Sequence, residues 1–547
     1  MSLQSSRRSR WYVPWILVAG VATVLGFWVY ESDQEGDRVA AYGGTYVEAA
    51  VGTAQRINPL YASPNTVDAD ISALVFSGLT RLGADGRVLP DLAASWEISE
   101  DGREYTFTLR NGAIWHDGED LTADDVVFTA GVLANEEFNG DPQLGELWQT
   151  VSAERVGDLA VRFTLEEPFA PFLAQSAIGI LPEHLLAGVE VPLLANAPFN
   201  ERPVGSGPYK LEAIDGRSAI LSANEAFQLG SPYIKTIRFD FYPNENSALE
   251  AVREGAADGV YLNGAIGRDD VDALSDDHRV HELIASSYTM LYLNWQLPAF
   301  QEDSVRRAIA FAIDREALVD RHLGGRGVIA DSVIPPGTWA WSAAFSPYEY
   351  DPERARALLE DAGWTVRADG VRVRGDAELV FDLITNNDST RSAVATQIAS
   401  DLQAIGIRVN FSTSGSTSLY EQVLQPHNYQ MALFGFAQGT DPDPFPAWHS
   451  SQADGGANIS AYSDPLADED LVGARLSVDN DRRAELYVRF QQTFYERQPG
   501  IVLFYSTNLY VVPEDLHGFA PAVQFSAASR FSNVWQWFVE TRRVADE

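Results

Sequence analysis

Between Asp91 and Thr129 the hydrophobic pattern passes from a period of two to the spacing of a helix, and this stretch constrains the fold more than any other. It opens on a short segment ending at Trp96, and Glu100-Asp101-Gly102 supplies a turn. Tyr105, Phe107 and Leu109 then alternate with Thr106, Thr108 and Arg110, the pattern of a half-buried strand. Asn111-Gly112 turns the chain into a second short strand at Ile114-Trp115, and His116-Asp117-Gly118 turns it again. Thr122 stands three residues before Asp125, a capping box ahead of Val126-Val127-Phe128. A hairpin, a turn and a helix start therefore follow one another, and the chain mixes α and β elements.

At 547 residues the chain is too long for one core. Its net charge of −38 disfavours nucleic acid as a partner, because phosphates need Lys and Arg. Lysine occurs only at Lys210 and Lys235, and the absence of cysteine removes disulfides, thiolate metal sites and a thiol nucleophile. Arg7, Arg8 and Arg10 precede an apolar run from Trp11 to Tyr30, about the length a bilayer requires, and Glu31, Asp33, Glu35 and Asp37 follow it. This asymmetry predicts a cytoplasmic N-terminus and an extracytoplasmic bulk. The run is longer than a signal-peptide core and carries Trp11, Trp15, Trp28 and Tyr30 near its ends, so an uncleaved single-pass membrane anchor is expected.

The stretch from Trp96 through Asp101-Gly102, Tyr105, Phe107, Leu109-Arg110, Trp115, His116-Asp117-Gly118 and Thr122 to Val126 resembles the signature region of the family 5 solute-binding proteins of peptide and nickel ABC transporters. Pro203-Val204-Gly205-Ser206-Gly207-Pro208-Tyr209 resembles a second motif of that family, and Arg307 to Arg315 and Tyr350 to Ala355 resemble two of its helices. The resemblance implies an α/β, two-lobed periplasmic-binding-protein-like fold of the large cluster C type, with an extra subdomain and two hinge crossings. Residues 1–41 would form a cytoplasmic tip, the transmembrane anchor (11–30) and an acidic linker. Residues 42–288 plus 506–547 would form the first lobe, with the extra subdomain at about 76–204, and residues 289–505 the second lobe. Leu379 to Ile384, Arg391 to Ala404 and Ile407 to Phe411 read as strand, helix, strand, which predicts a parallel pair. Helices are also expected over Asp70 to Leu79 and Pro168 to Ile180.

Leu433 to Pro444 reads LFGFAQGTDPDP. In peptide-binding relatives the backbone beside an aromatic residue here pairs with the extended ligand, and an early Asp takes its α-ammonium. Gly435-Phe436 and Asp441-Pro442 match that pattern, but the early Asp is missing and Gln438 or Gly439 stands in its place. The resemblance implies ligand contacts from Gly435, Phe436, Ala437, Gln438 and Asp441. It adds Ser63 and Asn65 in the loop after Asn58-Pro59, and Arg391, near the region from which dipeptide-binding relatives present an Arg to the ligand carboxylate. Phe436, Trp339, Trp341 and Trp448 are candidate apolar walls.

No residues combine into a nucleophile, base and orienting group at recognisable spacing. His116-Asp117-Gly118 reads as a turn, Gly205-Ser206-Gly207 lacks the spacing of a nucleophile elbow, and Asp441 and Asp443 with His449 read as Pro-fixed turns rather than metal ligands. The expectation is a monomeric, non-enzymatic receptor without cofactor or metal, taking a peptide or other small molecule to ABC permease subunits. The alternatives are an extracytoplasmic hydrolase or sensor on the same scaffold, or a receptor for a non-peptide solute.

Overall fold

The computed structural model describes residues 37–263, 270–271, 274, 277–330, 332–345 and 348–544. The apolar run 11–30 lies outside the described residues. Among the described residues no helix is long and apolar enough to cross a membrane.

Ten strands form one continuous sheet. In chain order they are β1 (Gly43–Val51), β2 (Tyr209–Ile214), β3 (Ser218–Ala223), β4 (Ile234–Tyr242), β5 (Gly259–Leu262), β6 (His278–Leu293), β7 (Val380–Asn386), β8 (Arg408–Ser414), β9 (Met431–Ala437) and β10 (Gly500–Pro513). Across the sheet they run β8-β7-β9-β6-β10-β5-β1-β4-β3-β2. The two long strands β6 and β10 are antiparallel partners at its centre. On one side β1 is flanked by parallel β4 and β5. On the other β7 is flanked by parallel β8 and β9, and the expected strand-helix-strand unit is present, with α3 (Ser389–Ala404) as its helix.

The β6–β10 ladder slips in register between Ile284 and Tyr288. Within the gap Ser286 donates its N–H to the Gln524 carbonyl at 2.8 Å, and Gln524 donates to Ile284 at 2.8 Å. The core divides on either side of this slip. One cluster centres on Tyr46, Phe107 and Trp537, others on Leu293, Ile309 and Leu383 and on Met290 and Trp448. Separate cores joined by two strands are what permits hinge motion.

The organising hairpin becomes part of a four-stranded antiparallel sheet built from Ala93–Ile98, Glu104–Leu109, Ala160–Leu165 and Val151–Gly157. Tyr105, Phe107 and Leu109 are buried, as their alternation predicts, whereas Ile114 makes only an isolated bridge to Asp120. The helix α2 (Ala123–Leu133) starts on the expected Thr122–Asp125 capping box. The helix α1 (Thr66–Val75) begins earlier than its apolar run suggests, because the Asn65 side chain accepts from Val67 and Asp68 and satisfies the first turn. Pro168 to Ile180 is helical only over Phe172–Gln175. Beyond it Ser176 accepts from Thr80 at 3.3 Å and Ile180 donates to Ser77 at 2.9 Å, so the backbone pairs across to another segment instead of within a helix.

The C-terminal segment is tied to β1 and α1 by a buried charge cluster. Arg530 meets both oxygens of Asp70, at 2.9 and 2.6 Å, and Glu48 Oε1 at 2.9 Å. The other Glu48 oxygen accepts from Tyr46 and Tyr510. Burial pushes both carboxyls up, against the pull of the guanidinium.

Candidate functional site

The parallel strands of one half end at Val51, Tyr242 and Leu262, those of the other at Asn386, Ser414 and Ala437. The carboxyl ends of parallel strands are where ligand crevices form in α/β sheets. Among these ends β9 is distinctive. It pairs along its whole length with β6, from Leu293↔Met431 to Ser287↔Ala437. On its other edge β7 reaches only Met431 and Ala432 before diverging, and among the described residues no strand pairs with the outer edge from Leu433 to Ala437. That edge is an unfilled ladder position for an extended chain.

Arg391, in the first turn of α3, reaches this edge. Its guanidinium carbon lies 5.6 Å from the Phe434 ring centroid, and a Cβ built on Gly435 would come within 2.6 Å of its Nη2. Phe434 and Gly435 face opposite sides of the strand, so a group touching both lies along the edge. Arg391 makes no ion pair among the described residues, and burial lowers its pKa. Phe436 stacks on Tyr288 at 5.9 Å.

Two cavities flank α1. One, of about 610 Å³, is lined by Val51, Thr66, Asp70, Asn246 and Tyr261. The other, of about 460 Å³, is lined by Ser63, Ser72, Phe76, Arg81 and Trp535, and Thr440 reaches it from just beyond β9. Both volumes suit small-molecule or peptide side-chain occupancy.

The family model for bacterial extracellular solute-binding proteins, family 5 (middle) matches residues 87–458. The chain belongs to that family. It is 29% identical over 507 residues to the oligopeptide-binding protein AppA of Bacillus subtilis, covering 91% of this chain and 92% of that one. The structure of AppA from Bacillus subtilis in complex with a nonapeptide matches at 28% identity with a TM-score of 0.65, over 92% of this chain and all of that one. NikZ from Campylobacter jejuni in complex with Ni(L-His) matches at 28% identity with a TM-score of 0.66, over 90% and 99% of the two chains. The family is one of substrate-binding proteins of ABC importers rather than enzymes.

In this family 5 protein the residues singled out from sequence separate into two groups. Gly435, Phe436, Ala437 and Arg391 gather at the free edge of β9, and Ser63 lines the smaller cavity. Asn65, Gln438 and Asp441 are engaged elsewhere. The Asn65 carbonyl caps α1 and its Nδ2 donates to the Thr53 carbonyl at 3.0 Å. Gln438 is 7% exposed, donating its backbone N–H to Ser286 and its Nε2 to Val333. Its Oε1 is buried without a partner. Asp441 faces Arg483 with both oxygens, so it offers no free charge to a ligand amine. Asp443 is likewise held by Arg475 at 2.9 Å, and no group of potential metal ligands occurs among the described residues. Trp448 is fully buried beside Tyr292, and Trp339 lies against Arg483, so both belong to packing rather than to the edge.

The two sequence motifs meet through His116. Its Nδ1 accepts from the Gly205 N–H at 3.3 Å and its Nε2 donates to the Gly207 carbonyl at 3.0 Å. With both ring nitrogens occupied by backbone, and Ser206 only 1% exposed, the pair cannot serve as base and nucleophile. Gly205 and Gly207 are needed for close approach, since a Cβ would come within 1.9 Å of the Val75 carbonyl oxygen and 2.5 Å of that of Leu74. Arg81 and Trp535 escaped the sequence reading, because a single Arg in a short strand carries no pattern.

Proposed function

We propose that this protein is an extracytoplasmic receptor that binds peptides and delivers them to the permease subunits of an ABC importer. The free edge of β9 from Leu433 to Ala437, with the unpaired Arg391 beside Gly435, carries the reading. An extended ligand adds a strand to this edge through main-chain hydrogen bonds, and Arg391 receives its carboxylate. The nonapeptide complex of AppA supports a peptide as the solute class. We divide the chain into lobes at 288/289 and 505/506, with the extra subdomain at about 76–204. The register slip between Ile284 and Tyr288 supports the first crossing as a hinge. Ligand contacts to both lobes would favour the closed arrangement. We also keep the run 11–30 as a single-pass anchor and the mature receptor as a monomer.

With Asp441 held by Arg483 and Gln438 neutral, neither residue rewards a free α-ammonium at the end of β9. Calorimetry with tetra-alanine, free and N-acetylated, tests this. Both forms should bind within about fivefold, under 1 kcal/mol. A large loss on acetylation would show that a carboxylate reads the amine after all. Binding of neither form would move the ligand to another solute class.

A further inference from the structure

The smaller cavity beside α1 carries an electrostatic feature that a peptide backbone does not use. Its walls are largely aromatic and apolar, from Phe76, Phe227, Phe525 and Trp535. The Arg81 guanidinium is set into this wall, 5.0 Å from the Trp535 ring centroid. Among the described residues it makes neither hydrogen bond nor ion pair, and its buried Nε has no partner. Ser72 Oγ and Thr440 Oγ1, both lining the same cavity, are buried without partners as well.

Among the described residues that line the wall the one acid, Asp91, is engaged. Its Oδ1 accepts from Gln228 Nε2 at 2.7 Å, and Arg110 Nε donates to its backbone carbonyl at 2.7 Å. Arg81 and Arg110 both attract the Asp91 carboxylate, so two cations share one anion beside the cavity, on a chain of net charge −38. A half-buried cation that shares its counter-charge, as Arg81 shares Asp91 with Arg110, is incompletely compensated, and an incoming anion removes that cost. Stacking on Trp535 holds the planar guanidinium by its face and leaves its edge for a carboxylate.

We infer that this cavity is a subsite for an anionic group on an apolar body, an arylalkanoate or an N-acyl cap bearing a carboxylate, which pairs with Arg81 while its apolar part packs on Trp535 and Phe76. The inference rests on the receptor reading above and names the ligand end that enters beside Ser63 and Thr440. That end is acidic rather than an ammonium.

Calorimetry of the full chain with 3-phenylpropionate and with its neutral amide, 3-phenylpropionamide, tests it. The acid should bind at least about tenfold more tightly than the amide, the range of one charge-assisted hydrogen bond. Arg81→Gln should abolish the preference, and Arg81→Lys should keep part of it. Equal affinities, a preference for the amide, or binding of neither by the wild-type protein would overturn the proposal, without any variant having to fold. Tetra-alanine in the same instrument separates the two readings. If it fails to bind with either N-terminus while the acid preference holds, the peptide reading falls and the anionic subsite stands.

Discussion

Arg483 holds Asp441 by both carboxylate oxygens, at 3.0 and 2.7 Å, with the two side chains 4% and 8% exposed. In the sequence Asp441 is the nearest carboxylate to the position where peptide-binding relatives take the ligand's amine. In the fold its charge is neutralised, and it fixes the segment after β9 to the helix Asn480–Arg497. Asp441→Asn should therefore lower stability by about 3–5 kcal/mol, because it leaves Arg483 buried and uncompensated. It should not alter the preference between free and acetylated tetra-alanine. Urea unfolding and calorimetry read the two effects separately. A variant as stable as wild type that loses its ligand would reverse the assignment.

Gly435→Ala should spare the fold and impair binding. The added methyl group would crowd Arg391 Nη2 at 2.6 Å, the end of a flexible side chain, and would meet the Tyr288 carbonyl oxygen at 3.4 Å, an ordinary van der Waals contact, so the cost to folding is small. Displacing that guanidinium removes the proposed carboxylate partner, a loss of about tenfold or more in affinity. Arg391→Gln should produce a similar loss. Circular dichroism should show both variants folded, and a Gly435→Ala protein with wild-type affinity would remove Arg391 from the site.

His116 makes stability pH-dependent with a definite sign. Burial lowers its pKa from the ordinary 6.5 to about 4, so the folded state resists protonation and the unfolded chain does not. Its contribution is fully present above about pH 6.5 and is lost as pH falls to about 4, amounting to about 3 kcal/mol. Asp91, which burial pushes up to about 6, acts in the opposite sense over the lower part of this range. The stability difference between wild type and His116→Gln isolates the histidine. That difference should shrink on acidification, and a constant difference would mean that His116 takes up its proton equally in the folded and unfolded states.

The N-terminal run provides a prediction that needs no tertiary structure. Protein taken from native membranes should retain residues 1–30 and require detergent. N-terminal sequencing that began near Ala41 or Tyr42 would show a cleaved signal instead.

The sequence by itself determined the elements whose signals are local. The alternation at Tyr105, Phe107 and Leu109 and the Thr122–Asp125 capping box are written in neighbours a few residues apart, and the β7-α3-β8 unit in the order of three such local patterns. The periodicity of side-chain direction along a strand or helix makes such patterns readable without knowing the partner elements. Family likeness carried the rest of the fold and brought Gly435, Phe436 and Arg391 forward together. Tertiary structure alone decided which charges were free. Asp441 and Arg391 look equally available in the sequence, yet Arg483, distant in the chain, occupies the first, while among the described residues the second makes no ion pair and lies over the Phe434 ring. His116 reads as part of a local turn, and only the fold brings Gly205 and Gly207 onto its two ring nitrogens. Arg81 had no signal at all until Trp535 came to lie beside it across the cavity. The physical reason is the same in each case: hydrogen bonds and ion pairs consume side-chain valences between residues far apart in sequence, and a site is made from the valences that remain.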